Sequence, residues 1–200
     1  MQITERRYYT QDEYLALEEL AEYKSEYIDG EIIPMAGGTT NHNRLALNLS
    51  TGMNFAFRQQ DYEVFMGDVR LWIPEKKIYT YPDVMVIAGK AEYFNNRTDT
   101  VTNPIVIAEI LSKSTQSHDR QTKFEDYKTI STFQEYILID QTKISVMQYV
   151  KTGRKRWEIR EHDIEDEVIA LHSIVFQMSL EDLYNKVSFE IVEIEKDSQE

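Results

Sequence analysis

The feature that most constrains this chain is a seven-residue apolar run interrupted by a single carboxylate. Residues 105–111 read IVIAEIL, a pattern typical of a buried strand, and Glu109 is the one charged residue in it. An ionised carboxylate buried in a sheet is costly unless it is paired or binds a metal. Because Glu109 lies near the end of the run, we expect it at the exposed mouth of the strand. The alternative is an ordinary edge-strand glutamate that faces solvent.

A second carboxylate stands at the start of another predicted strand. Asp83 directly follows Pro82 and precedes the apolar residues 84–87. Two carboxylates at adjacent strand ends form an oxygen-rich site of the kind that holds Mg²⁺. Pro-Asp is also common in turns, so Asp83 by itself could be a capping residue. Its combination with Glu109 favours the metal site.

The segment after residue 111 predicts a helix over about 117–130 with one unusual face. Its stripe at helical spacing consists of Arg120, Lys123, Phe124 and Tyr127. We expect the two aromatic residues to pack in the core, with the tyrosine hydroxyl at the surface. The two cations then share an inward face, where they need anions, and Asp83 and Glu109 are the candidates. The alternative is a snorkelling lysine and an arginine paired locally with Asp119.

The remaining patterns predict an α/β fold with a mixed sheet flanked by helices. Thr10 and Glu13 form a capping box, and Asp29-Gly30 is a type I′ hairpin signal. The predicted elements are a helix over 10–21, a hairpin over 27–33, a helix through 45–56, a strand over 64–73 with a bulge at Gly67, strands at 83–87, 105–111 and 135–140, antiparallel strands within 144–176 and a helix over 180–184. We expect a single domain over residues 1–188 and an acidic tail over 189–200.

Composition narrows the possible chemistry. The 200 residues include no cysteine, which excludes disulfides, thiolate nucleophiles and cysteine-bound zinc. The net charge of −13 is carried mainly by residues 1–40 and 151–200, and the central part is nearly neutral. This charge argues against non-specific nucleic-acid binding but leaves room for a local cationic groove. The absence of a long apolar run or an apolar signal core predicts a cytoplasmic protein without a membrane segment.

The motifs together resemble a known family. They are Pro82-Asp83, Glu109-Ile110-Leu111-Ser112, Asp119-Arg120-x-x-Lys123-x-x-x-Tyr127 and Glu135-Tyr136-x-x-x-Asp140. This set closely resembles the Uma-two-type putative restriction endonuclease family, a former domain of unknown function in the PD-(D/E)XK nuclease superfamily. The segment Ile28-Asp29-Gly30-Glu31 and His42 are also similar, so the resemblance covers about residues 10–185.

The resemblance implies a restriction-endonuclease-like core and metal-dependent hydrolysis of phosphodiester bonds, with Mg²⁺ as cofactor and Mn²⁺ as a substitute. It implies that Asp83 and Glu109 are catalytic metal ligands and that the backbone carbonyl of Ile110 completes the metal shell. The superfamily's lysine would be residue 111, which is a leucine here. Similar families take this cation from the following helix, where Lys123 matches, and Lys113 is the alternative.

Further residues are weaker candidates for the same site. Arg120 is expected to contact phosphate or the carboxylates, and His42 is expected to be a cap or a phosphate contact. Glu26 and Glu31 flank the first hairpin and could add a metal ligand, although solvated charges are commoner there.

The function expected from this reading is a DNA endonuclease that works as a homodimer, because cutting both strands of a duplex most simply uses two active sites related by a twofold axis. The acidic ends are then expected to lie away from the DNA groove. The alternative is a catalytically inactive nuclease fold that serves as a protein-binding scaffold, which the net charge of −13 and Leu111 favour. An enzyme acting on RNA or on a small phosphodiester is a third option.

Overall fold

The structure, a computed structural model, describes residues 7–112 and 118–189, without the side chains of His118 and Arg120. The α-helices in these residues are α1 (Gln11–Glu18), α2 (Thr40–Phe57), α3 (Phe124–Tyr127) and α4 (Leu180–Leu183). The strands are β1 (Ser25–Ile28), β2 (Glu31–Pro34), β3 (Tyr62–Met66), β4 (Arg70–Ile73), β5 (Ile78–Thr80), β6 (Val84–Ala88), β7 (Thr100–Val101), β8 (Val106–Leu111), β9 (Glu135–Asp140), β10 (Ser145–Gly153), β11 (Arg156–Asp163), β12 (Val168–Ala170) and β13 (Gln177–Ser179). Short 3₁₀ turns span Pro74–Lys76 and Phe94–Asn96, and a π-helical turn spans His118–Lys123.

The largest sheet has six strands in the order β11-β10-β9-β8-β6-β3. Strands β8 and β9 are parallel, and the other neighbours are antiparallel, which confirms the predicted mixed sheet. The parallel pair requires a crossover connection, and the π-helical turn and α3 lie in that connection. The run that contains Glu109 is therefore a central strand.

Side-chain alternation divides the core between the two faces of this sheet. On one face, Val84 and Val86 pack with the buried side of α2, which includes Leu45 and Leu49. On the other face, the apolar side chains of β6, β8 and β9 pack with β4, β5 and the end of α3. A sheet buried on both faces explains why its central strands read as continuous apolar runs.

A second, five-stranded sheet has the order β2-β1-β5-β4-β7. Helix α1 packs on it through an aromatic cluster in which Tyr14 stacks on Tyr79 with ring centroids 5.3 Å apart. Trp72 stacks on the same tyrosine at 4.2 Å. This sheet carries Glu26 on β1 and Thr80 on β5, and both residues contribute to the site described below.

Local sequence signals correctly predict the N-terminal segment. The hydroxyl of Thr10 accepts a hydrogen bond from the N–H of Glu13 at 3.2 Å, and the Glu13 carboxylate accepts the N–H of Thr10 at 2.8 Å. This confirms the capping box at the start of α1. Asp29 and Gly30 both have positive φ, as a type I′ turn requires, and they join β1 to β2.

Two predicted elements differ from the structure. The single strand over 64–73 is wrong, because β3 and β4 belong to different sheets and Gly67 has a φ of +51° between them. The sequence pattern also misses β5. The helix over 117–130 is replaced by the π-helical turn and the short α3. The predicted acidic tail lies outside the described residues from position 190 onward. Within the described ranges, the helices lack the combination of length and apolar character that a bilayer crossing needs.

The buried side chain of Arg70 on β4 forms a salt bridge with Asp99 in the loop before β7. The side chain is 6% exposed, and its guanidinium donates to the carboxylate of Asp99 at 2.6 Å. Asp99 also accepts from Arg97, and this hydrogen bond lowers the pKa of Asp99 well below its usual range. Loss of the Asp99 charge would leave a buried guanidinium without its anion, which is costlier than loss of an exposed pair.

We predict that Asp99→Asn lowers the free energy of unfolding by about 1–3 kcal/mol, measured by urea denaturation at pH 7. The matched control is Asp29→Asn, which removes an exposed pair with Lys77 at a positive-φ position that asparagine tolerates. We expect that control to change stability by less than about 1 kcal/mol. Equal effects of the two variants would contradict a structural role for the Arg70 pair.

The same variant has a defined pH dependence. The folded pKa of Asp99 is lowered, so its stabilising contribution is present above its unfolded pKa of about 4. The contribution is lost as the pH falls through the folded pKa. The stability difference between the wild type and Asp99→Asn should therefore be constant from pH 5 to pH 8 and shrink below about pH 4.

Candidate active site

Asp83 and Glu109 lie on neighbouring strands of the six-stranded sheet. Strand β6 pairs antiparallel with β8, with Val84 opposite Ala108. One further step in the same register places Asp83 opposite Glu109. Residues that lie directly opposite each other project from the same face of a sheet. The two candidate metal ligands are therefore brought together on one face.

The Pro82-Asp83 pair ends the hydrogen-bond ladder between these strands. In the continued register Ile110 lies opposite Pro82, which has no N–H to donate. The N–H of Ile110 instead donates to Oδ2 of Asp83 at 2.7 Å. Since the N–H and C=O of one strand residue point to the same edge, the Ile110 carbonyl also faces Asp83. The proline thus makes room for a carboxylate and a carbonyl oxygen side by side.

Glu109 is buried within the central strand, with 3% of its surface exposed. The expectation of an exposed strand end is therefore wrong, and so is the alternative of a solvent-facing edge strand, because β8 has neighbours on both sides. Its Oε1 accepts a hydrogen bond from the hydroxyl of Tyr127 at 2.6 Å and another from Nζ of Lys123 at 3.1 Å. The buried carboxylate thus has both a cationic and a neutral partner.

The π-helical turn after β8 supplies the cation. Such turns, with i→i+5 hydrogen bonding, are frequent at functional sites. Asp119 and Lys123 are four residues apart in this segment, and Nζ of Lys123 lies 3.5 Å from Oδ1 of Asp119. Tyr127 is four residues further on and also reaches Glu109. The backbone of Arg120 lies in the same turn, and its side chain is outside the described part of the chain.

Glu26 reaches this cluster from the second sheet. Its Oε1 accepts a hydrogen bond from the hydroxyl of Thr80 and lies 3.7 Å from Nζ of Lys123. Glu31, the other glutamate of the hairpin, begins β2 opposite Ile28. The carboxylates of Glu26, Glu109 and Asp119, from three parts of the fold, therefore surround the ammonium of Lys123. Lys113, the alternative lysine, lies outside the described residues.

His42 approaches Asp83 from the first turn of α2. The N–H of His42 donates to the N-cap hydroxyl of Thr39 at 3.1 Å, so it is Thr39 that caps the helix. Nε2 of His42 lies 3.2 Å from Oδ2 of Asp83. The hydrogen bond to Asp83 raises the pKa of the imidazole, and burial opposes it. The start of α2 is thereby attached to one of the two central carboxylates.

Burial and crowding of like charges control the ionisation of the site. Burial raises the pKa of Glu109, the ammonium of Lys123 opposes this shift, and the carboxylates of Asp83 and Asp119 add to it. Burial disfavours the charge on Lys123, but Glu109, Glu26 and Asp119 together raise its pKa, so the ammonium stays protonated. Burial also raises the pKa of Tyr127, so its hydroxyl keeps its proton and acts as a donor.

The donor atoms suit a hard divalent cation. Within the described part of the chain, the contacts given above use Oδ2 of Asp83 and Oε1 of Glu109, which makes the second oxygen of each carboxylate the candidate metal ligand. Among the described residues, no group of three or more His, Asp or Glu side chains is arranged around a metal position. Two carboxylates and the Ile110 carbonyl are nevertheless a sufficient protein share for Mg²⁺, which usually keeps several waters.

Two residues of the site are missed by sequence reasoning. Tyr127 is expected to carry its hydroxyl to the surface, but the residue is fully buried and the hydroxyl donates to Glu109. Asp119 is considered only as a local partner of Arg120, but its side chain is buried beside Lys123. The four-residue spacing from Asp119 through Lys123 to Tyr127 is the signal that could have identified both.

Comparisons with known proteins agree with this architecture. A crystal structure of a putative nuclease belonging to DUF820 from Anabaena variabilis ATCC 29413 superposes with a TM-score of 0.71 at 24% identity. The match covers 88% of this chain and 97% of that one, and it supports the predicted fold class.

Two relatives come from Synechocystis sp. (strain ATCC 27184 / PCC 6803 / Kazusa). Uncharacterized protein sll1609 is 49% identical over 152 residues, which are 76% of this chain and 86% of that protein. Uncharacterized protein slr1290 is 32% identical over 178 residues, which are 89% of this chain and 92% of that protein. The family described as "Putative restriction endonuclease" (Uma2) matches residues 11–181. The chain therefore belongs to the Uma2 family.

Proposed function

We propose that this protein is a metal-dependent endonuclease that hydrolyses phosphodiester bonds in DNA. The observation that carries the proposal is the convergence of two carboxylates and one cation. Asp83 and Glu109 share one face of the sheet, and the ammonium of Lys123 lies 3.1 Å from Glu109. Membership of the Uma2 family supports a nuclease-like activity. We further propose that the protein works in the cytoplasm.

In this proposal, carboxylate oxygens of Asp83 and Glu109 and the carbonyl oxygen of Ile110 would hold Mg²⁺, with Mn²⁺ as a substitute. Held there, the ion would supply Lewis-acid chemistry, which lowers the pKa of a water molecule and polarises the phosphate. Asp83 is held in place by the N–H of Ile110 and by His42. Rigid support of this kind keeps metal ligands in one orientation.

Lys123 is the proposed catalytic cation, and Tyr127 is a positioning residue. The ammonium donates hydrogen bonds to the attacking water and to the phosphate oxygens on which negative charge develops. The Tyr127 hydroxyl donates to Oε1 of Glu109 and so fixes the orientation of the carboxylate that would hold the metal. Arg120 and His42 are proposed to contact substrate phosphate.

A catalytically inactive scaffold remains the second candidate. The specific observations that favour it are Leu111 at the position of the superfamily lysine and the ion pair that Lys123 already makes with Glu109. Cation binding separates the two functions. Isothermal titration of the wild type with Mn²⁺ should show binding if the protein is a nuclease, and no binding would favour the scaffold.

We predict that Asp83→Asn and Glu109→Gln each abolish Mn²⁺ binding and lower the cleavage rate by more than about 100-fold, because loss of a residue that only supports a metal ligand already costs about 10- to 100-fold. Both substitutions remove charge and keep the shape of the side chain. Cleavage is measured by nicking of plasmid DNA, with a labelled RNA of the same length as a second substrate. Asp68→Asn is the control, because Asp68 is an exposed carboxylate paired with Lys24.

Each result has a defined consequence. Full cleavage by either variant would remove that residue from the metal site. Preferential cleavage of the RNA by the wild type would replace DNA as the proposed substrate.

We predict that Lys123→Ala lowers the cleavage rate by about 100- to 1,000-fold while Mn²⁺ binding is retained. The metal ligands stay in place, but the developing negative charge loses its cation. Circular dichroism verifies that the variant is folded. Lys113→Ala is the matched comparison and should have a much smaller effect. The reverse order of the two effects would assign the catalytic role to Lys113.

We also propose a homodimer, because one chain carries one candidate site and a duplex has two strands to cut. Light scattering at micromolar concentrations should give a mass near twice 23.6 kDa. A mass of 23.6 kDa at every concentration would exclude the dimer.

A further inference from the structure

The carboxylate of Asp119 is buried beside Lys123, and one of its oxygens lacks a hydrogen bond within the described part of the chain. The residue is 2% exposed, and the oxygen concerned is Oδ1. The distance from this oxygen to Nζ of Lys123 is 3.5 Å, whereas Oε1 of Glu109 lies at 3.1 Å. A buried polar atom without a hydrogen bond is costly, so its retention calls for an explanation.

The position of Asp119 is well fixed. Its backbone carbonyl accepts a hydrogen bond from the hydroxyl of Tyr136 at 3.0 Å, and the residue lies in the same π-helical turn as Lys123. A small movement of the ammonium along the turn would bring it within hydrogen-bond distance of Oδ1. Asp119 is thus able to accept a hydrogen bond from Lys123 after a small movement of the ammonium.

A bound divalent cation would change the forces on Lys123. In its absence, the negative charge of Glu109 attracts the ammonium directly. A cation on Glu109 offsets that charge and repels the ammonium, since like charges a few ångströms apart repel strongly in a buried site. Lys123 then needs another anion if it is to stay near the metal.

We propose that Asp119 is the positioning residue that retains Lys123 in the site when a divalent cation occupies Asp83 and Glu109. This inference rests on the proposed function. Glu26 is the less suitable anion, because its Oε1 already accepts from Thr80 and lies 3.7 Å from the ammonium. Asp119 shares a helical segment with Lys123, so their separation does not depend on how the two sheets pack.

The structure also indicates where Lys123 goes if Asp119 fails to hold it. Lys123 borders a narrow opening to solvent whose lining is mostly apolar but includes the carboxylates of Glu26 and Asp126. These two carboxylates would attract the ammonium away from the metal and toward this opening. Removal of the Asp119 charge should therefore release Lys123 only in the metal-bound state.

The experiment observes the Lys123 ammonium by NMR in protein labelled with ¹⁵N-lysine, with the signal assigned through Lys123→Arg. Ammonium protons give a signal only when they are hydrogen-bonded and protected from exchange with water. The wild type should keep the signal with and without saturating Mg²⁺. Asp119→Asn should keep it without Mg²⁺ and lose it with Mg²⁺. The matched variant Glu26→Gln should behave as the wild type.

A second measurement needs only the wild type and covers the case in which Asp119→Asn does not fold. Reductive methylation followed by mass spectrometry reports the accessibility of each lysine. Lys123 should resist modification equally with and without Mg²⁺. A metal-dependent rise in its modification would overturn the proposal, because the ammonium would then leave the site although Asp119 is present.

The remaining outcomes separate this inference from the proposed function. Mg²⁺ affinity is measured by titration calorimetry on the same samples. If the wild type binds Mg²⁺ and Asp119→Asn retains the Lys123 signal, the positioning role is overturned and the metal site stands. If the wild type binds no divalent cation, both proposals are overturned together.

Discussion

The carboxylate of Glu109, in a central strand that is buried on both faces, is the constraint around which the site is organised. A pair of unit charges 4 Å apart interacts with about 4 kcal/mol at an effective dielectric constant of 20, so a buried anion strongly selects its neighbours. Here the neighbours are an ammonium and a phenol from a single short helical segment. The π-helical turn and the short α3 make this possible by directing Lys123 and Tyr127 inward, where a regular surface helix would expose its charged residues.

The second constraint is the end of the β6–β8 ladder. Proline cannot donate a ladder hydrogen bond, and the side chain of the following residue, Asp83, accepts the N–H of Ile110 instead. Because the aspartate side chain accepts the N–H of Ile110 where the strand ladder ends at the proline, the two residues occur together at this point. This arrangement leaves the Ile110 carbonyl at the end of the ladder next to the two carboxylates, which is the oxygen-rich surrounding that a hard cation prefers. Backbone pairing and the proposed metal site are thus linked through the dipeptide Pro82-Asp83.

Caps, turns and single strands were predictable where interactions between residues close in sequence determine the structure. The capping box of Thr10 and Glu13 and the Asp29-Gly30 turn depend on contacts within a few residues, and both occur as predicted. The run over 105–111 correctly predicted a strand. The prediction of one strand over 64–73 is wrong, because two consecutive apolar segments do not reveal that they join different sheets. A glycine between them is equally compatible with a bulge within one strand.

By itself, the sequence determined the mixed α/β class, the two carboxylates at Asp83 and Glu109, and the inward cation at Lys123, because alternation and helical spacing are short-range patterns. Only the tertiary structure decided that Glu109 is buried, that the Tyr127 hydroxyl points to it, and that Glu26 reaches Lys123 from another sheet. Those contacts join residues far apart in the chain, and they depend on strand order and on the packing of two sheets. No local pattern predicts the strand order or the packing of the two sheets, because both result from the burial of the whole core at once.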